Sequence, residues 1–468
     1  MNDNLIDTAL GGGGIFGILF AVLSLLTFLF LYISKIKNKN YKAAFNIIII
    51  FLPVTFYSTR LFGISAYSTT PGIDAPYTQL IGLTTFTIFV QYFVMKINGA
   101  IVKQKSKIYK SLEKLIWLFS ITLTITQFFS HTIFSACLLS IGAAWQYLLI
   151  FYIISSVIEN EEDFLKFIKS IFIFSIFNKI FLMIVKGVPL IKSLTAEYTE
   201  LSLREGNVGA LGPPVSAAGY LAIFFTFGLA VYYYTLEKKY LVYIFFIFLE
   251  ILNTFTRGGI FILFLAFIPF LFLDGKKIYK KIILLLVLSI PFWGYFWEYI
   301  SFRGFNLDVT KEDNFVARFV ISYLYFTEYY YFSFVGNGLL KPTLIPYTEW
   351  LSFKLHNVYL EILDVSGVII FFIIIILTGV VFKYLYRYSK QLTNAHFNKS
   401  IVKVFAPFLF TAFLQWVVYA NTTSTSILYF YPYEGTLFFW LLCFSPVIIF
   451  KLLQNKLSIN SIQVNTHV

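Results

Sequence analysis

The run GIFGILFAVLSLLTFLFLYISKIKNKN (residues 14–40) decides the fold: an uninterrupted apolar stretch is followed at once by Lys35, Lys37 and Lys39. A helix needs roughly 20 apolar residues to cross about 30 Å of hydrocarbon, and this run supplies them. Apolar segments of the same kind recur to the end of the chain. They lie near residues 14–34, 43–58, 78–95, 115–130, 135–157, 168–186, 211–235, 240–256, 258–273, 282–297, 366–382, 401–420 and 427–450. With 59% hydrophobic and only 13% charged residues, and a mean hydropathy of +0.78, the whole 468-residue chain reads as one integral membrane domain. The expected class is all-α, a polytopic transmembrane bundle of about 12–14 spans.

The net charge of +13 would suggest nucleic acid in a soluble protein. Here the lysines sit in short clusters between apolar segments, so they report topology, and no nucleic-acid partner is expected. Lys35 to Lys42, Lys96 to Lys114, Lys276 to Lys281 and Lys383 to Lys403 mark loops expected on the cytoplasmic side. That assignment gives an external N-terminus and an internal C-terminus. The opening MNDNLIDTAL lacks the basic start of a cleavable signal peptide, so the first apolar segment is expected to remain as a span. Cys137 and Cys443 both fall in apolar segments and read as small core residues, with no disulfide framework or cysteine metal site. The Gly11–Gly14 run lacks the Lys-Ser/Thr of a phosphate loop and reads as a flexible lead-in.

No stretch between the spans has the composition and size of a nucleotide-binding domain, so an activated substrate would have to arrive by another route, such as the lipid phase. Two external loops are long, residues 187–210 and 298–355, the second lying before the third-last span. The second holds FVISYLYFTEYYYFSFV (319–335), whose apolar but tyrosine-rich make-up suits a helix in the membrane interface or a wall where aromatic faces stack on sugar rings.

Arginine is distributed unlike lysine. Arg60, Arg204, Arg257, Arg303 and Arg318 all fall on the expected external side, and Arg387 alone falls inside. Lysine suffices as a topology signal, whereas the guanidinium fork is the better ligand for phosphate. Arg257 stands in TRGG (256–259), a tight joint between two spans, where a charge at that depth requires an anion or carbonyls around it, or escape to the headgroups. Lys186, Lys192, Lys311, Lys341 and Lys354 are the external lysines. Of four histidines, His396 and His467 fall inside and His131 in a short turn. His356 opens HNVYLEILDVSG (356–367) where the large loop enters a span, and imidazole is the side chain ready to accept a proton near neutral pH.

Four features of this chain resemble the O-antigen polymerase and O-antigen ligase superfamily of membrane glycosyltransferases, over roughly residues 200–380. LREGNVGALGPPVSAAGYLA (203–222) resembles the family's external Arg- and Gly-rich loop running into a span, and TRGGIFILFLAF (256–267) its Arg-Gly joint. ARFVISYLYF with FSFVGNGL (317–339) is similar to the Arg, amphipathic stretch and G-x-G of its large loop. His356-Asn357, nine residues and Gly367 follow the ligase-type pattern up to its last position, where Ile370 stands.

The resemblance implies a donor glycan carried on undecaprenyl pyrophosphate, entering sideways from the outer leaflet of a bacterial inner membrane. Arg257 and Arg318 would stabilise the charge growing on the departing pyrophosphate, and His356 would orient or deprotonate the acceptor hydroxyl. Arg204, Arg303, Lys341, Asn357, Tyr325 and Tyr359 would line the substrate. No metal and no cofactor are expected, since pyrophosphate is already a good leaving group and the external loops lack a DxD-like carboxylate pair. A flippase and a chain-length regulator are the implied protein partners. The expected activity is polymerisation of repeat units into O-antigen, capsule or exopolysaccharide. A ligase moving finished glycan to lipid A-core uses the same chemistry. A flippase is the alternative of another class, for which Lys179, Glu250 and Glu361 are the candidate intramembrane charges.

Overall fold

The structure, a computed structural model, describes residues 14–55, 83–129, 134–186, 211, 214–254, 256–273, 315–330, 333–337, 345–348, 351–353, 357–394, 400–420 and 436–465. The chain is an all-α polytopic helical bundle. Its helices are α1 (Gly14–Lys37), α2 (Tyr41–Ile50), α3 (Leu83–Ile97), α4 (Lys107–Phe129), α5 (Phe134–Val157), α6 (Glu161–Lys186), α7 (Pro214–Thr235), α8 (Lys239–Asn253) and α9 (Arg257–Leu263). A 3-10 turn (Phe264–Phe267) leads into α10 (Ile268–Leu273). There follow α11 (Phe315–Leu324) with a π turn (Tyr325–Tyr329), α12 (Val358–Asn394), α13 (Ile401–Ala420) and α14 (Thr436–Asn465). Every predicted span except 282–297 contains a helix; that stretch and the 187–210 loop lie outside the described residues.

Among the described residues, six helices are long and apolar enough to cross a membrane: Gly14–Lys37, Glu161–Val185, Ala217–Thr235, Val358–Leu392, Ile401–Ala420 and Leu437–Asn455. The first shows why the bundle is a membrane bundle. Ile15, Leu19, Leu23, Leu26, Phe30 and Ile33 form a helical stripe left uncovered, while Gly17, Ala21, Ser24, Phe28 and Tyr32 on the other face are buried. Large aliphatic and aromatic side chains at that spacing are stable uncovered only against lipid. Ile369, Phe372, Ile376 and Phe382 of α12 repeat the pattern.

At the centre stands α13, buried at every position but Lys403, Leu414, Val417 and Val418, as a helix apolar all round should be. It packs against α7, α12 and α14. Its one amide, Gln415, is satisfied from two neighbours: Oε1 accepts from the Thr226 hydroxyl of α7 at 2.8 Å, and Nε2 donates to the Ile262 carbonyl of α9 at 2.9 Å. At the opposite end from the TRGG joint, Lys42 reaches both Glu159 and Asp163 at 2.7 Å, tying α2 to the α5–α6 turn.

One sequence expectation needs correction. The span expected at 366–382 begins earlier, at Val358, and runs to Asn394 across a kink at Gly367, with Glu361 and Asp364 buried inside the bundle. The large loop also carries strand pairing. Ile345–Thr348 pairs antiparallel with Leu351–Phe353 in a two-stranded hairpin, β1 and β2.

Candidate functional site

The TRGG joint forms where α8 stops and α9 begins. Thr254 donates to the Ile251 carbonyl at 2.6 Å and shares a hydrogen bond with Thr256 at 2.8 Å, so the hydroxyls satisfy the turn between the two helices. Gly259 then lets α9 touch α7: a Cβ there would stand 2.6 Å from that of Ala218. Arg257 is the first residue of α9, and its side chain lies outside the described residues.

The other arm is the start of α12. Asn357 caps it, its Oδ1 accepting from the backbone N–H of Tyr359 at 2.9 Å and of Leu360 at 3.2 Å. These are helix-end donors that would otherwise be orphaned. Asn357, expected to line substrate, therefore also holds the helix that follows His356. His356 itself lies outside the described residues, as do Arg204, Arg303 and Lys341.

Between two and three turns further, α12 breaks. Gly367 adopts φ 79°, ψ 176°, a backbone state open in practice only to glycine. In an unbroken helix the Asp364 carbonyl would accept from the Val368 N–H. Instead, Asp364 O accepts from the Asn337 N–H at 2.8 Å, and Val368 N–H donates to the Ser333 carbonyl at 3.0 Å. The segment 333–337 is thus wedged into the helix ladder. It fits because Gly336 (φ 68°) also lacks a side chain: a Cβ on it would lie 2.5 Å from the Gly367 nitrogen and 2.6 Å from that of Ser366. The G-N-G and H-N-x9-G spacings therefore meet at one point. The nine residues from 358 to 366 are a separate half-helix of about 14 Å.

The wedge is fastened by side chains too. Asp364 Oδ1 accepts from Asn337 Nδ2 at 2.8 Å and, more weakly, from the Tyr325 hydroxyl at 3.4 Å. Burial first, and then the Asp364 charge, push the Tyr325 phenol well above its ordinary range, so it stays a protonated donor. Tyr325 and Ile321 pack against Leu360, which sets α11 beside the half-helix. Arg318 lies on α11, its side chain outside the described residues. Tyr325, expected against substrate, is buried against Asp364, whereas Tyr323, Phe326 and Phe334 are uncovered aromatics among the described residues of this segment.

The central helix α13 unites the arms. Gln415 holds α9, Trp416 meets Tyr359 edge-on at 6.4 Å and lies tilted against Phe439 at 3.9 Å, and Tyr419 packs on Gly219 of α7. The joint carrying Arg257, the start of α12 and the end of α13 consequently lie at one end of the bundle. Tyr359, Trp416, Tyr419 and Phe439 line that end.

No family model and no curated protein matches the chain. What bears on its chemistry is the arrangement itself.

Sequence reasoning passed over Asp364, the carboxylate that the wedge is built around; the only signal was an acid within the apolar LEILDVSG. It marked Lys179 and Glu250 singly, and the structure pairs them at 3.3 Å between α6 and α8, the Lys179 side chain 2% exposed. Asn253 Nδ2 donates to Glu250 Oε1 at 3.3 Å, placing the pair just beneath the TRGG joint. Such a pair must be broken on one side to be costly. Lys179→Met should lower stability by about 3–5 kcal/mol, and Lys179→Met with Glu250→Gln should recover most of that. Thermal unfolding in detergent checks it; a double variant less stable than the single one would contradict it.

Proposed function

We propose that the chain is a glycosyltransferase of the polysaccharide-polymerase type, joining repeat units carried on undecaprenyl pyrophosphate at the periplasmic face of the bacterial inner membrane. The observation that supports this most is the convergence at one end of a lipid-embedded bundle. The Arg257 joint and the half-helix that follows His356 are each fastened there to α13, and the helix bearing Arg318 is fastened to the half-helix. A lipid-anchored donor reaches such a place by lateral diffusion, without a nucleotide-binding domain. Guanidinium groups suit its diphosphate because they present paired donors and stay charged.

The step breaks the bond between the anomeric carbon of the donor glycan and the pyrophosphate oxygen, and forms one from that carbon to an acceptor hydroxyl oxygen. The leaving pyrophosphate takes the bonding pair, and Arg257 and Arg318 stabilise the negative charge as it grows. His356 takes the hydroxyl proton. Both glycans remain membrane-borne: one lipid is released as undecaprenyl pyrophosphate and the lengthened glycan stays on the other. A ligase would run the same step with lipid A-core as acceptor.

In cells deprived of this chain, long glycan should disappear and lipid-linked single repeats should accumulate on the outer face. Accumulation on the cytoplasmic face instead would support the flippase reading.

A further inference from the structure

The half-helix 358–366 is cut from the rest of α12 at Gly367, so it does not inherit its direction from the helical ladder. Its direction comes from what grips it. At its lower end the grip is the wedge: two main-chain hydrogen bonds, Asn337 N–H to Asp364 O and Val368 N–H to Ser333 O, and the Asp364 carboxylate held by Asn337 and Tyr325. A carboxylate 4% exposed within a membrane bundle is costly unless donors meet it, and an apolar residue would serve a merely packed helix better. Both of these donors come from the segment between residues 315 and 345, the large loop's own sequence. The upper end of the same half-helix carries Asn357, with His356 next to it. With an arm of about 14 Å, a tilt of about 10° at the wedge moves that end by about 2 Å, and misplacement by about 1 Å can cost a hundredfold in rate.

We infer that Asp364 is a positioning residue. Through Asn337 and Tyr325 it latches the large loop to the half-helix and thereby sets the direction of the half-helix up to its cap at Asn357, the residue that follows His356 in sequence. The inference rests on the glycosyltransferase reading above.

The test uses the purified full chain and lipid-linked repeats, and reads kcat and KM for glycan extension together with backbone amide exchange over 333–337 and 364–368. Asp364→Asn keeps an acceptor oxygen of the same size and should stay within about threefold of wild type. Asp364→Leu and Asn337→Ala should each lose about thirtyfold or more in kcat, with the donor KM within about twofold, and both should exchange faster in those two segments. Combining them should cost little beyond the larger single loss, since both remove one latch. Wild-type kcat in Asp364→Leu or Asn337→Ala would overturn the inference. So would loss of turnover without faster exchange, or an Asp364→Asn variant as slow as Asp364→Leu with exchange unchanged, which would mean that the charge acts directly. If the wild type itself extends no glycan, the glycosyltransferase reading falls and the positioning role with it. Extension by wild type and Asp364→Leu alike removes only the latter.

Discussion

Arg257→Ala and Arg318→Ala should each slow glycan extension at least about a hundredfold, while Arg387→Ala, exposed near the far end of α12, should stay within about twofold. The asymmetry follows from when each charge interacts. An arginine facing the departing pyrophosphate gains interaction as negative charge accumulates, so its loss raises the barrier by several kcal/mol. Arg387 at the opposite end meets no developing charge. Arg257→Lys should rescue poorly, because one ammonium cannot reproduce the fork of a guanidinium. Surface expression and size-exclusion profile serve as fold controls. Full activity in both Arg257→Ala and Arg257→Lys would leave that residue a headgroup anchor and nothing more.

The second large effect is at His356. His356→Ala should preserve expression and donor binding yet abolish long glycan, with lipid-linked single repeats left on the outer face. Loss of a general base is worth about 10²–10⁴ in rate. A variant retaining the wild-type rate would assign the proton transfer elsewhere.

Much of the bundle was legible because its signals are local. An apolar run closed by lysines, as at 14–40, requires nothing from the rest of the chain to read as a spanning helix, and the TRGG joint appears in the structure where the apolar pattern breaks. What stayed hidden was non-local. Glu361 was visible as a charge in an apolar stretch, but Asp364 was passed over, because the groups that satisfy such a buried acid can be distant in sequence. Asn337 and Tyr325, which do so for Asp364, stand 27 and 39 residues away. The same holds for Lys179 and Glu250, each visible as a charge in an apolar helix, their pairing visible only when α6 and α8 are brought side by side. The two glycine spacings were legible as motifs. That Gly336 packs on Gly367, which gives both spacings their physical reason, follows only from the fold. For Tyr325 the residue was singled out and its surroundings differ from expectation: a tyrosine read as a sugar platform is buried as a donor to Asp364.

The most direct measurement of the central claim gives the purified chain a single substrate, the lipid-linked repeat, in EDTA. A glycosyltransferase whose charge stabilisation comes from arginines and whose base is a histidine should build a ladder of longer lipid-linked glycans and release undecaprenyl pyrophosphate in equal steps. A ladder that vanishes with EDTA and returns with Mg²⁺ would contradict the arginine and histidine mechanism. No ladder from any lipid-linked donor, with transbilayer movement of those lipids instead, would contradict the glycosyltransferase itself.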